Sequence, residues 1–419
     1  MRKLGIRSGE HAVTITFIVL CAVCFAFSGY TINYVLYELA IRMARNAFIV
    51  LALIIPIIAG MGINFAITIG AMAAQIAILW VIEWQIPGVR GFLAATALTL
   101  PIATLFGYLV GKLLNQMKGQ ETIGSMILGY FANGLYQLLF LFVFGNLVPM
   151  RAPNLVIKGS AGIANTLDLK PTKMMYALDN LWKIKPGDFH QTIYIVAGGL
   201  AIVTLIGFAL KKVSVKRLCL MLGLGAACCA LIQIPMLADW FSMVSVPMIT
   251  FAVVGLLCLF NVGIMRTKLG QDLRAVGQNG TVANAAGINV NRTRLIAIIF
   301  STVFAAFGQL IFVQNMGNLQ TYGAHEMIGL YAGAAILVGG ASIVKATNGQ
   351  ALLGCLLFHM LFTVAPPAAK NVFGDPAIGE YFRVFISYGV IALALVMHAW
   401  GSVQKRKPEN AVKEAGKPA

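Results

Sequence analysis

Run after run of this chain is apolar for as long as a helix needs to cross a bilayer, and that feature leaves few folds open. The candidate spans are 12–30, 46–60, 62–84, 93–113, 121–148, 191–210, 218–236, 243–264, 294–315, 327–346, 347–366 and 383–400. A crossing takes about 20 residues of helix. Without water in the hydrocarbon, backbone groups must bond within their own segment, which makes these runs helices. They are continuous rather than alternating, so a transmembrane β-barrel is excluded. Of 419 residues, 59% are hydrophobic and 11% charged, against roughly 45–50% and about 25% in soluble domains.

The expected fold is therefore all-α, a polytopic transmembrane helical bundle of about 10–12 spans. The pairs 46–60/62–84 and 327–346/347–366 are short or interrupted by Gly-containing polar stretches, and read as broken or re-entrant helices. Residues 1–403 form the transmembrane domain. Residues 404–419, rich in Lys, Glu and Pro, form a polar tail without fixed structure whose basic start meets anionic lipid.

The formal charge is +17, from 31 Lys+Arg against 14 Asp+Glu. The basic residues stand in short connections between apolar runs, which is a membrane-orientation pattern and not a nucleic-acid surface. Arg2, Lys3 and Arg7, Lys112 and Lys118, the cluster Lys211, Lys212, Lys216 and Arg217, and Lys405 to Lys407 all fall on one side. The positive-inside rule makes that side cytoplasmic, with both termini inside and the long segment 149–190 outside. Arg42 and Arg45, placed after the first span, conflict with this scheme. The start, Met1 to Arg7 before an apolar run, reads as an uncleaved first span. Seven cysteines lie in apolar runs, and the C-x-x-C of Cys21 and Cys24 reads as packing residues.

One polar stretch exceeds what a connector needs. Residues 265–294 read MRTKLGQDLRAVGQNGTVANAAGINVNRTR, with the alternation of a short amphipathic helix punctuated by Gly277, Gly280 and Gly287. By composition it is either a helix displayed for a partner or an ordered loop.

The residues Gly270–Gln271–Asp272–Leu273–Arg274–Ala275–Val276–Gly277–Gln278–Asn279, then Ala283 and Ala285 to Val290, resemble the cytoplasmic coupling segment of a family of ABC-importer permeases. That family serves branched-chain amino acids, ribose and other simple sugars, and nucleosides, on the type II importer fold. Gly339–Gly340–Ala341–Ser342 followed by Gly349 and Gly354 is similar to the family's Gly-rich turn between late spans. Ile63–Asn64–Phe65–Ala66 is similar to its Asn-containing element, and ETIGSMILGY, 121–130, to a segment of nucleoside-type members. The chain departs from the family at Ile67, Thr68 and Ile69, where Gly or Glu often follow the Asn, and in the length of 149–190.

The resemblance implies a transport subunit without a cofactor of its own, driven by a separate ABC ATPase. It also implies a second permease subunit, identical or paralogous, an extracytoplasmic solute-binding protein, and a prokaryotic inner membrane. No G-x-x-x-x-G-K-[ST] phosphate loop is present, in keeping with a separate ATPase. The coupling residues implied are Gly270, Asp272, Arg274, Ala275, Gly277, Asn279, Ala283, Ala286, Gly287 and Ile288, with Arg274 as polar anchor. The alternative for Arg274 is a pair with Asp272 or a lipid phosphate.

A solute path is expected where helices are broken and polar side chains face the bundle interior. Asn64, Thr68, Gln75, Asn133, Gln137, Gln309, Gln314 and Asn315 qualify. The same residues equally suit interhelical hydrogen bonds, each worth about 0.6 kcal/mol. Lys345 is expected at a cytoplasmic hairpin turn and His398 at a span end; with His359 they are the ionisable groups within or near late spans. So little fixed charge suits a neutral or zwitterionic solute. The resemblance of 121–130 and of the long chain to nucleoside-type members implies nucleosides and simple sugars, and that of Ile63–Ala66 implies branched-chain amino acids as the runner-up. An ion-coupled secondary transporter would need acids within spans, whereas Glu38, Glu83 and Glu121 stand near span ends. A membrane-embedded enzyme would need clustered nucleophiles or metal ligands, and no such spacing occurs.

Overall fold

A computed structural model of the chain describes residues 2–117, 119–152, 155–157, 162–209, 214–375, 377–385, 388–389 and 392. The tail 404–419, most of the span 383–400, His398, Lys118, Lys158, Lys211 and Lys212 lie outside the described residues.

The chain is a polytopic helical bundle. Its first half runs through α1 (Arg2–Ser28), α2 (Ile32–Leu51), α3 (Ile54–Ile58), α4 (Ile67–Glu83), α5 (Gly88–Leu114) and α6 (Glu121–Leu138), the last extended by a π-helical turn, Leu139–Val143. After the segment 149–190 come α7 (Phe189–Ala209), α8 (Val215–Leu231), α9 (Pro235–Trp240) and α10 (Met248–Ile264). The polar stretch follows as α11 (Lys268–Gln278) and α12 (Gly280–Ala285). Last come α13 (Val290–Met316), α14 (Ile328–Val338) and α15 (Asn348–Phe373).

Among the described residues, six helices are long and apolar enough to cross a membrane, and a seventh counts if α10 and α11, bent by 77°, are one span. Val13–Ser28, Ile67–Glu83, Leu218–Leu231 and Ile328–Val338 are apolar but shorter. The expected runs, about 10–12, include these short helices and 383–400, most of which lies outside the described residues. At 1.5 Å per residue, the 11 residues of α14 reach about 16 Å, half a hydrocarbon core. Both α4 and α14 are entered from non-helical backbone, 59–66 and 317–327. Such backbone is tolerated at membrane depth only inside protein or along a cavity.

The expected span 46–60 is corrected at its start. The helix begins at Ile32 and runs almost unbroken to Ile58, so Arg42 and Arg45 stand inside a span and not in a loop. Each is anchored: Arg42 Nε donates to Glu38 Oε2 at 3.1 Å and Arg45 Nε to Asn315 Oδ1 at 2.9 Å. A helix can carry charges through the membrane when they find such partners.

Helix α13 is central and packs along α5, α4 and α2, while α1 runs beside α15 and α14 lies against α15 and α2. The spans Ile32–Ile58, Val290–Met316 and Asn348–Phe373 are each 67% buried by protein, whereas Phe189–Ile206 in α7 is 6% buried and pairs mainly with α8. Gly339 and Gly354 explain the Gly-rich turn. A Cβ on Gly339 would lie 1.8 Å from Gln350 O, and one on Gly354 1.9 Å from Ala335 O. Only hydrogen fits at that crossing.

The segment 149–190 is tied down, not loose. Strand β1 (Thr166–Asp168) pairs antiparallel with β4 (Asn318–Gln320), and β2 (Lys183–Ile184) with β3 (Val246–Pro247). The Glu83 carboxylate accepts from Arg151 N at 2.8 Å and Ala152 N at 3.1 Å, and Tyr176 N donates to Gln314 O at 2.9 Å.

Candidate functional site

Two groups of the singled-out residues come together in space. The first is the polar stretch, which folds as two short helices set by side-chain caps. Thr267 Oγ1 accepts from Gly270 N at 3.3 Å to open α11. Asn279 Oδ1 accepts from Thr281 N at 3.0 Å and Val282 N at 3.1 Å to open α12. Short polar side chains at these places satisfy orphan N–H groups, which is why the chain turns between α11 and α12.

One face of α11 is buried through Gly270, Leu273 and Val276, while Arg274, Gln278 and Asn279 are exposed. Leu273 joins an apolar cluster with Ile55, Ala59 and Ile298. Gly277 makes the closest approach: a Cβ there would meet Ile58 O at 2.0 Å, and one on Gly60 would meet Gly277 Cα at 2.7 Å. So α11 lies directly on the break between α3 and α4. Arg274 is exposed and donates from Nη2 to Met265 O at 3.0 Å. Asp272 and Ala275 are half-buried, Ala283 is buried beneath α12, and Ala286, Gly287 and the half-buried Ile288 lead to α13.

A cleft of about 790 Å³ opens beside this stretch, lined by Glu121, Gly280, Asn284, Ile288, Asn289 and Arg294 among others. In it Arg294 Nη2 stands 2.6 Å from Glu121 Oε1, the side chains 13% and 7% exposed. This pair joins the start of α6 to α13. Glu121→Ala leaves a largely desolvated guanidinium alone and is expected to cost about 1.5–3 kcal/mol. Thermal unfolding of the detergent-solubilised protein checks this, and because the pair is shielded, added salt is expected to change the wild type little.

The second group is the polar interior. Asn64, in the break before α4, donates from Nδ2 to Ser301 Oγ at 3.2 Å and accepts from Ala66 N at 3.1 Å. Thr68 donates to Phe65 O at 3.3 Å. The first turns of α4 and α14 meet here, for a Cβ on Gly329 would lie 2.7 Å from Phe65 O. Further along, His325 Nδ1 lies 2.9 Å from Gln75 Oε1 and His325 Nε2 2.7 Å from Asn133 Oδ1. Asn133 Nδ2 in turn donates to Glu326 Oε1 at 3.1 Å, and Gln309 Nε2 to Ala324 O at 3.4 Å. Tyr136 sets its ring edge against His325 at 4.6 Å between centroids. Gln137 is half-buried on the same side of α6 as Asn133, one turn away.

Gln314 and Asn315 belong to a separate network. Asp179, 2% exposed, accepts from Gln314 Nε2 at 2.9 Å and Asn315 Nδ2 at 2.7 Å, and also from Thr250 Oγ1. Asn315 then bridges Asp179 to Arg45. These two amides hold the segment 149–190 to the end of α13.

His325, Glu326 and Asp179 were not singled out from sequence, and Arg45 stood out only as a conflict with the topology. The signal for the first two is visible in retrospect: GAHEM puts two ionisable residues between apolar runs. Asp179 sits in what reads as an ordinary outer loop, and nothing local marks it as buried.

Residues 35–395 match the family described as branched-chain amino acid transport system permease component. The chain belongs to that family. It is 34% identical over 102 residues to the autoinducer 2 import system permease protein LsrC of Klebsiella pneumoniae, 24% of this chain and 28% of that one. To the nucleoside ABC transporter permease protein NupB of Lactococcus lactis it is 32% identical over 102 residues, 24% and 27% of the two chains. To the galactose/methyl galactoside import permease protein MglC of Salmonella typhimurium it is 28% identical over 141 residues, 34% and 40%. The match thus spans 27–40% of the length of these curated relatives. No solved structure matches the chain. Family membership and the run of apolar helices make it a multi-pass membrane protein.

Proposed function

We propose that this chain is the membrane-spanning permease subunit of an ATP-binding-cassette importer, moving a small neutral or zwitterionic solute by alternating access. What carries the reading is a family match over 35–395 combined with the seating of α11 on the α3–α4 break. A separate ATPase would grip the exposed side of α11 and α12, with Arg274 as a polar anchor beside Gly277 and Asn279. Its closure on ATP would push α11, and through Gly277 and Gly60 would shift the break that carries Asn64 and Thr68. The energy of hydrolysis is thereby spent on moving helices, and the chain itself is a transport subunit rather than an enzyme.

The assembly would hold two permease subunits, identical or paralogous, and would receive solute from an extracytoplasmic binding protein at the side of 149–190 and 366–382. The location is a prokaryotic inner membrane with both termini cytoplasmic; lipid is the remaining partner, and nucleic acid is not one. Nucleosides and simple sugars are the first reading of the solute, supported by the amide-rich interior around Gln75, Asn133 and Gln309 and by the nucleoside and galactoside relatives. Branched-chain amino acids are the second, supported by the family description.

Co-purification from native membranes tests the class. An ATPase and a solute-binding protein are expected in the eluate, and a chain that emerges alone and moves solute without ATP sinks the proposal. Topology is checked by single cysteines in a cysteine-free background. Positions 170 and 183 are expected to react with an impermeant maleimide from outside, and position 216 only after permeabilisation. The reverse pattern overturns the orientation.

A further inference from the structure

The interior around His325 leaves two hydrogen-bonding atoms unused. Gln75 and Gln309 are both 0% exposed, and Gln75 Nε2 and Gln309 Oε1 have no partner. An orphan amide atom in a buried site is costly. Both residues flank the same dipeptide: Gln75 meets the His325 ring, and Gln309 meets Ala324 O.

The orphan on Gln75 does not go away when its amide is turned. Asn133 gives its nitrogen to Glu326, so its oxygen faces His325 Nε2, and Nε2 carries the ring proton. A neutral imidazole has only one. Nδ1 is then an acceptor, which Gln75 meets by turning Nε2 toward it and leaving Oε1 free. With the oxygen toward the ring, two acceptors would face each other, so the tautomer selects the first arrangement: His325 holds Gln75 Nε2 and Oε1 is the free end.

These orphans lie near the breaks from which α4 and α14 begin. Helices α4 and α14 both start from non-helical backbone, and their first turns meet at Phe65, Thr68 and Gly329. Discontinuous helices of this kind direct their N-terminal N–H groups at solute atoms. A polar route leads outward, from buried Gln75 and His325 to half-buried Asn133 and Gln137 and to exposed Glu326. Amides and a carboxylate on an apolar helix face do not meet hydrocarbon, so that face borders water or a second subunit. The one carboxylate of the group is engaged by Asn133, and no cation stands among these residues.

Resting on the importer reading above, we propose that the free end of Gln75 and Gln309 Oε1 are the solute contacts, and that His325 is a positioning residue that orients Gln75. The ligand is a neutral solute that presents two hydrogen-bond donors to these two amide oxygens. The vicinal hydroxyls of a sugar, free or within a nucleoside, have that form.

The test uses the full importer, this chain with its co-purified ATPase and solute-binding protein, in proteoliposomes with radiolabelled uridine, galactose and leucine. The wild type is expected to take up uridine or galactose on ATP. For that solute, Gln309→Leu is expected to raise KM about tenfold, the loss of one bond to a buried partner, and to change maximal rate far less. The same variant is expected to melt no earlier than the wild type, because it removes an orphan. His325→Ala is expected to raise KM similarly, and His325→Gln, whose amide still holds Gln75, to recover most of the loss. Unchanged KM in Gln309→Leu overturns the contacts, and uptake of leucine alone overturns the ligand class. A wild type that takes up none of the three with ATP overturns the importer reading, and this inference with it.

Discussion

Replacing Gly277 with valine is expected to abolish ATP-driven uptake, by more than about tenfold, while the chain still inserts and binds its ATPase. Already the first carbon of a side chain would lie 2.0 Å from Ile58 O and 3.0 Å from Gly60 N, both backbone atoms that cannot swing aside. The clash forces α11 off the α3–α4 break; overpacking of this kind typically costs about 1–3 kcal/mol. An ATPase that still grips the exposed face of α11 would then move a helix no longer seated on the path. Uptake and ATP hydrolysis measured on the same proteoliposomes separate this from simple misfolding, which lowers both together with the yield. Gly263→Ala is the control, since a Cβ there meets nothing within 4 Å. Full uptake in Gly277→Val would falsify the transmission route.

Asp179→Ala is expected to be the most destabilising single change in the segment 149–190. The carboxylate is 2% exposed and takes hydrogen bonds from Gln314, Asn315 and Thr250, with Arg45 behind Asn315. Removing it strands three donors and takes away one of the two carboxylates that act on Arg45, Glu38 being the other, a loss of about 3–5 kcal/mol by analogy with broken buried pairs. The expected readout is a lower melting temperature in detergent, with faster proteolysis between 149 and 190. Asp179→Asn keeps the shape and one acceptor and is expected to lose less. Pairing Asp179→Ala with Arg45→Met removes the guanidinium as well, so the double variant is expected to be more stable than the two single losses added. Strict additivity would show that Asn315 does not couple the two.

The class of fold was legible because membrane insertion is a nearly local problem. An apolar run of about 20 residues must be a helix whatever surrounds it, and α5, α6, α13 and α15 all lie where their runs predict. Boundaries failed where a polar residue was carried inside. The start of α2 was put at 46, because Arg42 and Arg45 look like a loop until Glu38 and Asn315 are seen to hold them. The half-helices were legible as broken or re-entrant pairs, 46–60/62–84 and 327–346/347–366, but not their ends: α14 stops at Val338, well short of 346.

The site divides the same way. The polar stretch 265–294 stands out because charge and amides in a cytoplasm-length connector have no other use, and its caps at Thr267 and Asn279 are local. What α11 rests on was not legible, since Gly60 and Gly277 are far apart in sequence and a glycine does not announce its neighbour. Among the eight polar residues taken for a solute path, residue type alone separates none. Gln75, Asn133 and Gln309 gather around His325, while Gln314 and Asn315, in the very next turn of α13 after Gln309, bind Asp179.

By itself, then, the sequence determined that this chain is a bundle of membrane helices with a polar helical stretch between two of them, because hydrophobic length and helix caps act within a few residues. Only the tertiary structure decided which buried amides are satisfied and which are left free. A hydrogen bond needs two atoms about 3 Å apart, and for Gln75 and Asp179 the other atom is supplied by a residue more than a hundred positions away, as is the backbone that Gly277 packs against.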